Sequence, residues 1–181
     1  MDIIQIDDAG WGFPLGGVLI GAVNTRTLKF AYDEIPVVFF KDENFKNKAY
    51  LEEAVAVTGH ILKQLGVFNM DKSEVEIHLC PGFIHNKTYE YLTSLGFNVI
   101  RKEIGEPLQT LLEDSFREYI RGLAGKDIYY DPKGMSEDQI RMEYWKVIRY
   151  IGDNRLWYRA KTGWESIQRI LGGKYEKAKK Q

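Results

Sequence analysis

The pattern of apolar and polar positions divides most of the chain into strands and helices. Ile3 to Ile6 is an apolar run of strand length, and it ends in two adjacent carboxylates, Asp7 and Asp8. Charge at that point is costly unless it binds a cation, accepts several hydrogen bonds or stays protonated. Glycines 10, 12, 16 and 17, together with Pro14, mark a turn. Val18 to Val23 then predicts a second strand running back beside the first. A third strand is expected from Leu28 to Phe40, with Pro36 at a bulge or edge position.

Helical spacing follows at Leu51, Ala54, Val55, Ile61, Leu62 and Leu65, closed by Gly66. Val75 to Cys80 predicts a fourth strand, stopped by Pro81 and Gly82. A short helix from Lys87 to Leu95 and a fifth strand from Phe97 to Ile104 complete a crossover long enough for parallel pairing. Leu108, Leu112, Phe116, Ile120 and Leu123 form the apolar stripe of the next helix, behind Pro107. The order is βββαβαβα. Beyond Gly125, one helix is expected from Ser136 to about Ile151 and another from Arg155 to Leu171, with a frayed lysine-rich end.

Composition adds a charge asymmetry to this picture. Residues 1–124 carry 12 Lys/Arg against 18 Asp/Glu, and residues 125–181 carry 13 against 8, so the sign changes near Gly125. An acidic front with a basic tail suits a metal site beside a polyanion-binding surface, and it also suits plain solubility. Two regions follow: an α/β domain over 1–124 and a basic helical extension over 125–181. No run of eighteen apolar residues is present, the start lacks a basic leader pattern, and the single cysteine, Cys80, has no partner for an internal disulfide. A cytoplasmic protein is expected.

The strand order and the opening turn carry a resemblance. Ile6-Asp7-Asp8-Ala9-Gly10-Trp11-Gly12-Phe13-Pro14 resembles the Asp-Glu-Ala-Gly-Arg-Gly-Pro start of type 2 ribonucleases H, and the whole topology over residues 3–124 is similar to the ribonuclease H-like superfamily. The Asp-Ala-Gly context also resembles type 1 ribonucleases H and RuvC-type resolvases. The resemblance implies a five-stranded mixed sheet flanked by helices, and a nuclease whose converging carboxylates bind Mg2+ or Mn2+ to hydrolyse phosphodiester bonds.

It further implies Asp7 as the first metal ligand and Asp8 as a second. Asn47-Lys48-Ala49-Tyr50-Leu51-Glu52-Glu53 is similar to the Asn-Arg-Ala-Glu-Leu pattern of type 1 enzymes, which implies Glu53, with Glu52 as fallback. Asp114-Ser115-Phe116 fits the acid of the last helix. Helical geometry points instead to Glu113, which borders the apolar stripe while Asp114 lies nearly opposite it. Asp7, Glu53 and Asp114 are the implied catalytic set. The sequence departs from the family in two places: the fourth strand ends at Cys80-Pro81 where an aspartate is usual, and Trp11 replaces the arginine of the type 2 loop.

The bland alternatives stay open. Asp7 and Asp8 could cap a turn, and Glu52 and Glu53 could be solvated acids in a first helical turn. One cysteine and scattered His78 and His85 lack zinc spacing, so a structural role is expected for them. Beyond residue 140, Lys146, Arg149, Arg155, Arg159 and Lys161 interleave with tyrosines and tryptophans, a composition that suits phosphate neutralisation and base stacking. The same residues also suit an amphipathic helical pair packed on the sheet. The expected partner is a structured nucleic acid, an RNA–DNA hybrid or branched DNA. The alternatives are a non-catalytic nucleic-acid-binding or interaction module of the same fold, and an unrelated small-substrate enzyme built around Cys80.

Overall fold

The computed structural model describes residues 1–178, with side chains through residue 172; the lysine-rich end beyond Ala178 lies outside the described residues. Five strands, β1 (Asp2–Ala9), β2 (Val18–Asn24), β3 (Phe30–Ile35), β4 (Val75–Leu79) and β5 (Asn98–Arg101), form one mixed sheet in the order β3-β2-β1-β4-β5. The first three pair antiparallel, and β4 and β5 add in parallel to the other edge of β1. Helix α2 (Tyr50–Gln64), preceded by the short α1 (Asp42–Lys46), bridges β3 to β4, and α3 (Asn86–Ser94) bridges β4 to β5. The expected order of elements and the mixed sheet are therefore present, with β1 at its centre.

Alternation along β1 and β2 divides the core in two. Ile4, Ile6, Ile20 and Ala22 pack with α2 and with Leu92 of α3 on one face. Leu19 and Val23 pack on the other face with Leu108, Leu112, Phe116 and Ile120 of α4 (Leu108–Ala124). Close approach of α4 depends on Gly21, where an added Cβ would lie 2.7 Å from Leu112 Cδ1. Because that neighbour is the end of a side chain, Gly21→Ala is expected to cost about 1–2 kcal/mol through overpacking, read as a lower urea midpoint with an unchanged slope.

Two elements end differently from the sequence reading. Strand β3 stops at Ile35 because Pro36 has no N–H for the ladder, and Val37–Phe40 winds into a 3-10 turn that buries Phe40. The expected helix over 155–171 is broken: Trp157–Arg159 forms a 3-10 turn, and α6 (Glu165–Ala178) starts only after Gly163. Gly163 donates its N–H to Phe40 O at 2.9 Å, and a Cβ there would meet Phe45 Cβ at 2.6 Å, so this position serves chain packing and not a helix.

Helix α5 (Glu137–Asp153) begins at a capping box, with Ser136 accepting from Gln139 N–H and Gln139 accepting from Ser136 N–H. Its Val147, Ile148 and Ile151 join the α4 face of the core. The following segment is stitched to the glycine turn after β1: Gly16 N–H donates to Arg159 O at 2.7 Å and Lys161 N–H to Pro14 O at 2.9 Å. Among the described residues no helix is long and apolar enough to cross a membrane.

Candidate functional site

Strand β1 outruns β4. Ile6 lies opposite Leu79, the last residue of β4, while Asp7 and Asp8 are still paired with Gly21 and Ile20 of β2. Cys80 N–H still donates to Ile6 O at 3.0 Å, and then Pro81 and Gly82 carry the chain away. The result is a notch beside the carboxyl end of the central strand, the usual place for ligands in open α/β sheets. A 3-10 turn, Phe83–His85, returns across the notch and delivers His85 into it.

Asp7, Asp8, Cys80 and His85 converge there, each offering a ligand atom within 4.8 Å of the others. Asp7 Oδ1 accepts from Asp8 N–H at 2.8 Å, which fixes its orientation. Burial pushes the Asp7 carboxyl above the usual carboxylate range; the Cys80 thiol, donating to it, opposes that shift and the neighbouring Asp8 charge adds to it. Burial and the bond to Asp7 together push the Cys80 thiol up to about 12. It therefore holds its proton at neutral pH, which leaves a thiolate nucleophile without support.

His85 is fully buried, and neither ring nitrogen makes a hydrogen bond. Its Nε2 lies 3.3 Å from Asp8 Oδ1, close enough for ion pairing but without hydrogen-bond alignment. Gly82 arches over the group: a Cβ there would stand 3.5 Å from Asp8 Oδ1 and 3.6 Å from Cys80 Sγ. Its backbone, at φ −53° and ψ 145°, is open to any residue, so glycine is not required there for conformation.

The resemblance implied four acids, and the structure brings two of them together. Glu53, in the first turn of α2, contributes no ligand atom to the group, and the fallback Glu52 is paired with Lys87 at the surface. Asp114 is exposed on α4, because it lies about 200° around the helix from both Leu112 and Phe116, which are buried. Glu113 is the residue of that pair that faces the site. It lines, with Asp8, Gly12, Tyr129, Tyr130 and Lys133, a groove of about 560 Å³ that runs from the notch along α4. Gln109 donates to Glu113 Oε1 at 3.3 Å.

The donor set decides which ions suit the notch. Two carboxylates fit any divalent cation, but an imidazole and a thiol are poor ligands for Mg2+, which prefers six oxygens. Of the expected pair, Mn2+ suits the set better than Mg2+.

The basic residues of the C-terminal part divide into two groups. Lys146, Arg149 and Arg155 are exposed, the first two beside the half-exposed Trp145 in a shallow depression on α5. Lys161, expected to hold a phosphate, is fully buried and donates to Gly10 O at 3.0 Å and to Phe13 O, so it has no access to a polyanion. Arg159 is partly buried and donates to Leu123 O at 3.0 Å. Both residues hold the fold at the glycine turn.

Cys80 and His85 were taken from the sequence as structural. The signal for Cys80 was its place one residue past the fourth strand, where an acid is usual in the family the chain resembles. His85 had none short of the turn geometry. The sequence matches no protein-family model and no curated protein, so the reading of the site rests on its own geometry.

Proposed function

We propose that the protein is a ribonuclease H-like, divalent-metal-dependent nuclease that hydrolyses phosphodiester bonds of a structured nucleic acid, an RNA–DNA hybrid or branched DNA. The observation that carries this reading is the convergence of Asp7 and Asp8 at the open carboxyl end of the central strand, at the head of a groove. The cation, Mg2+ or Mn2+, would supply an activated water and neutralise charge on the phosphate.

The chain's own residues do the rest. Asp7 and Asp8 hold the cation; Tyr129 and Tyr130 offer faces for base stacking along the groove; exposed Lys133 meets a phosphate. Glu113 borders the path of the attacking water from the α4 side. Lys146, Arg149 and Arg155 extend the contact along the phosphate backbone.

The test is cleavage of end-labelled hybrid duplex and four-way junction by chelator-treated protein, with and without Mn2+. Cleavage restored by Mn2+ supports the reading. Within that assay, Glu113→Gln is expected to slow cleavage about tenfold, while Asp114→Asn stays within about twofold of the unchanged protein. Equal losses in both variants would remove Glu113 from the site.

A second reading, a non-catalytic binding module of the same architecture, is favoured by the absence of Glu53 and Asp114 from the group. It predicts retention of hybrid or junction, weakening steeply with salt, with no cleavage in Mn2+.

A further inference from the structure

We infer that the notch is built for a transition ion of the zinc class, ligated directly by His85 Nε2 and Cys80 Sγ together with Asp7 and Asp8. This deepens the proposed function only in that the same centre serves both; binding of the ion needs no nucleic acid.

Three observations carry it. A fully buried imidazole with no hydrogen bond at either nitrogen is an expensive feature, costing about 1–3 kcal/mol per unsatisfied group, unless another partner takes its lone pair. The 3.3 Å between His85 Nε2 and Asp8 Oδ1 does not make a hydrogen bond, yet two ligands each about 2.0–2.1 Å from one tetrahedral ion stand about 3.3–3.4 Å apart. The third is the mix of donors. One nitrogen, one sulfur and two carboxylates within 4.8 Å of one another match zinc, cobalt and, less tightly, manganese, and discriminate against Mg2+.

Gly82 completes the cradle. Its Cβ hydrogen points at the ligand atoms, and a larger side chain would reach into the space among them. The thiol proton now shared with Asp7 is what the ion replaces: one proton leaves Cys80 as the metal–sulfur bond forms.

The test uses the full chain, stripped with chelator and titrated with Co2+, whose visible spectrum reports tetrahedral geometry and whose sulfur-to-metal charge-transfer band reports a thiolate ligand. Saturation at one equivalent is expected, with the charge-transfer band lost in Cys80→Ser and affinity lowered at least tenfold in His85→Asn. Since His85 is buried and its variant could unfold, Gly82→Leu serves as the second variant. It keeps every ligand, fills the cradle, and is expected to abolish the cobalt spectrum while circular dichroism stays unchanged. Zn2+ should displace Co2+, and excess Mg2+ should not.

A folded protein that takes up no stoichiometric Co2+, an unchanged spectrum in Cys80→Ser, or displacement by Mg2+ would overturn the assignment. A cobalt spectrum without cleavage by the Mn2+ form would sink the nuclease reading alone. Cleavage without a cobalt spectrum would sink this inference alone.

Discussion

Asp7→Asn is expected to reduce Mn2+-dependent cleavage about a thousandfold, equivalent to about 4 kcal/mol of activation free energy, without lowering the melting temperature. The two halves of that expectation have separate causes. Activity falls because the amide cannot supply the negative charge that holds a cation between β1 and the phosphate. Stability holds because the amide oxygen still accepts from Asp8 N–H and from the Cys80 thiol, the two bonds that orient Asp7. Burial and the Asp8 charge both act against ionised Asp7, so removing its charge relieves a native-state cost and the melting temperature is expected to stay level or rise. Asp7→Ala would be a poorer test, since it leaves two donors without an acceptor. The measurement is single-turnover cleavage alongside thermal melting of the metal-free protein. Cleavage within tenfold of the unchanged protein would move the chemistry away from the notch. A large drop in melting temperature would show that Asp7 is there to hold the turn.

That experiment also separates what could be read along the chain from what needed three dimensions. Strand β1 and the turn after it were legible because an apolar run, two carboxylates and four glycines leave little choice of conformation. The helix boundaries were legible for the same reason, since Gly66, Gly125 and Pro107 stop or start helices whatever they pack against. Cys80 and His85 were not. Their chemistry depends on the register that sets Ile6 opposite Leu79, so that the next residue of each strand shares the notch, and on a one-turn 3-10 segment that no periodicity announces. For α4, motif and geometry disagreed between Asp114 and Glu113, and the 100° step of the helix was the better guide. The missed break at Gly163 has a tertiary cause. Residues 160–163 are held by Pro14 O and Phe40 O, contacts to parts of the chain more than a hundred residues away, and local helix preference gives way to them.

Lys161 is the second consequence of that stitching, and it makes stability depend on pH in an unusual direction. Its ammonium is buried against Phe40 and the turn carbonyls of Gly10 and Phe13, and burial pushes it down to about 7 from an ordinary value near 10.5, against the opposing pull of Glu34 and Asp8. Between those values the unfolded chain carries one proton more than the folded one. Stability therefore rises with pH across that window, by about 1.4 kcal/mol per pH unit, and levels off below the folded value. From pH 7 to 9 the expected gain is about 2 kcal/mol. Above pH 9 the buried thiol reverses the trend, because Cys80 ionises in the unfolded chain while burial keeps it protonated in the folded one. Lys161→Met isolates the effect. It removes the titrating group, leaves Gly10 O and Phe13 O without a donor, and is expected to be destabilised at pH 9 by about 1–3 kcal/mol. At pH 7, where the unchanged protein bears more of the cost of its buried amine, the variant should stand closer to it or above it. Urea unfolding of both proteins at pH 7, 8 and 9 gives the comparison directly. Curves that run parallel over that range would show that Lys161 is fully charged in the folded state, held by the two carbonyls and the ring of Phe40 strongly enough to offset its loss of water.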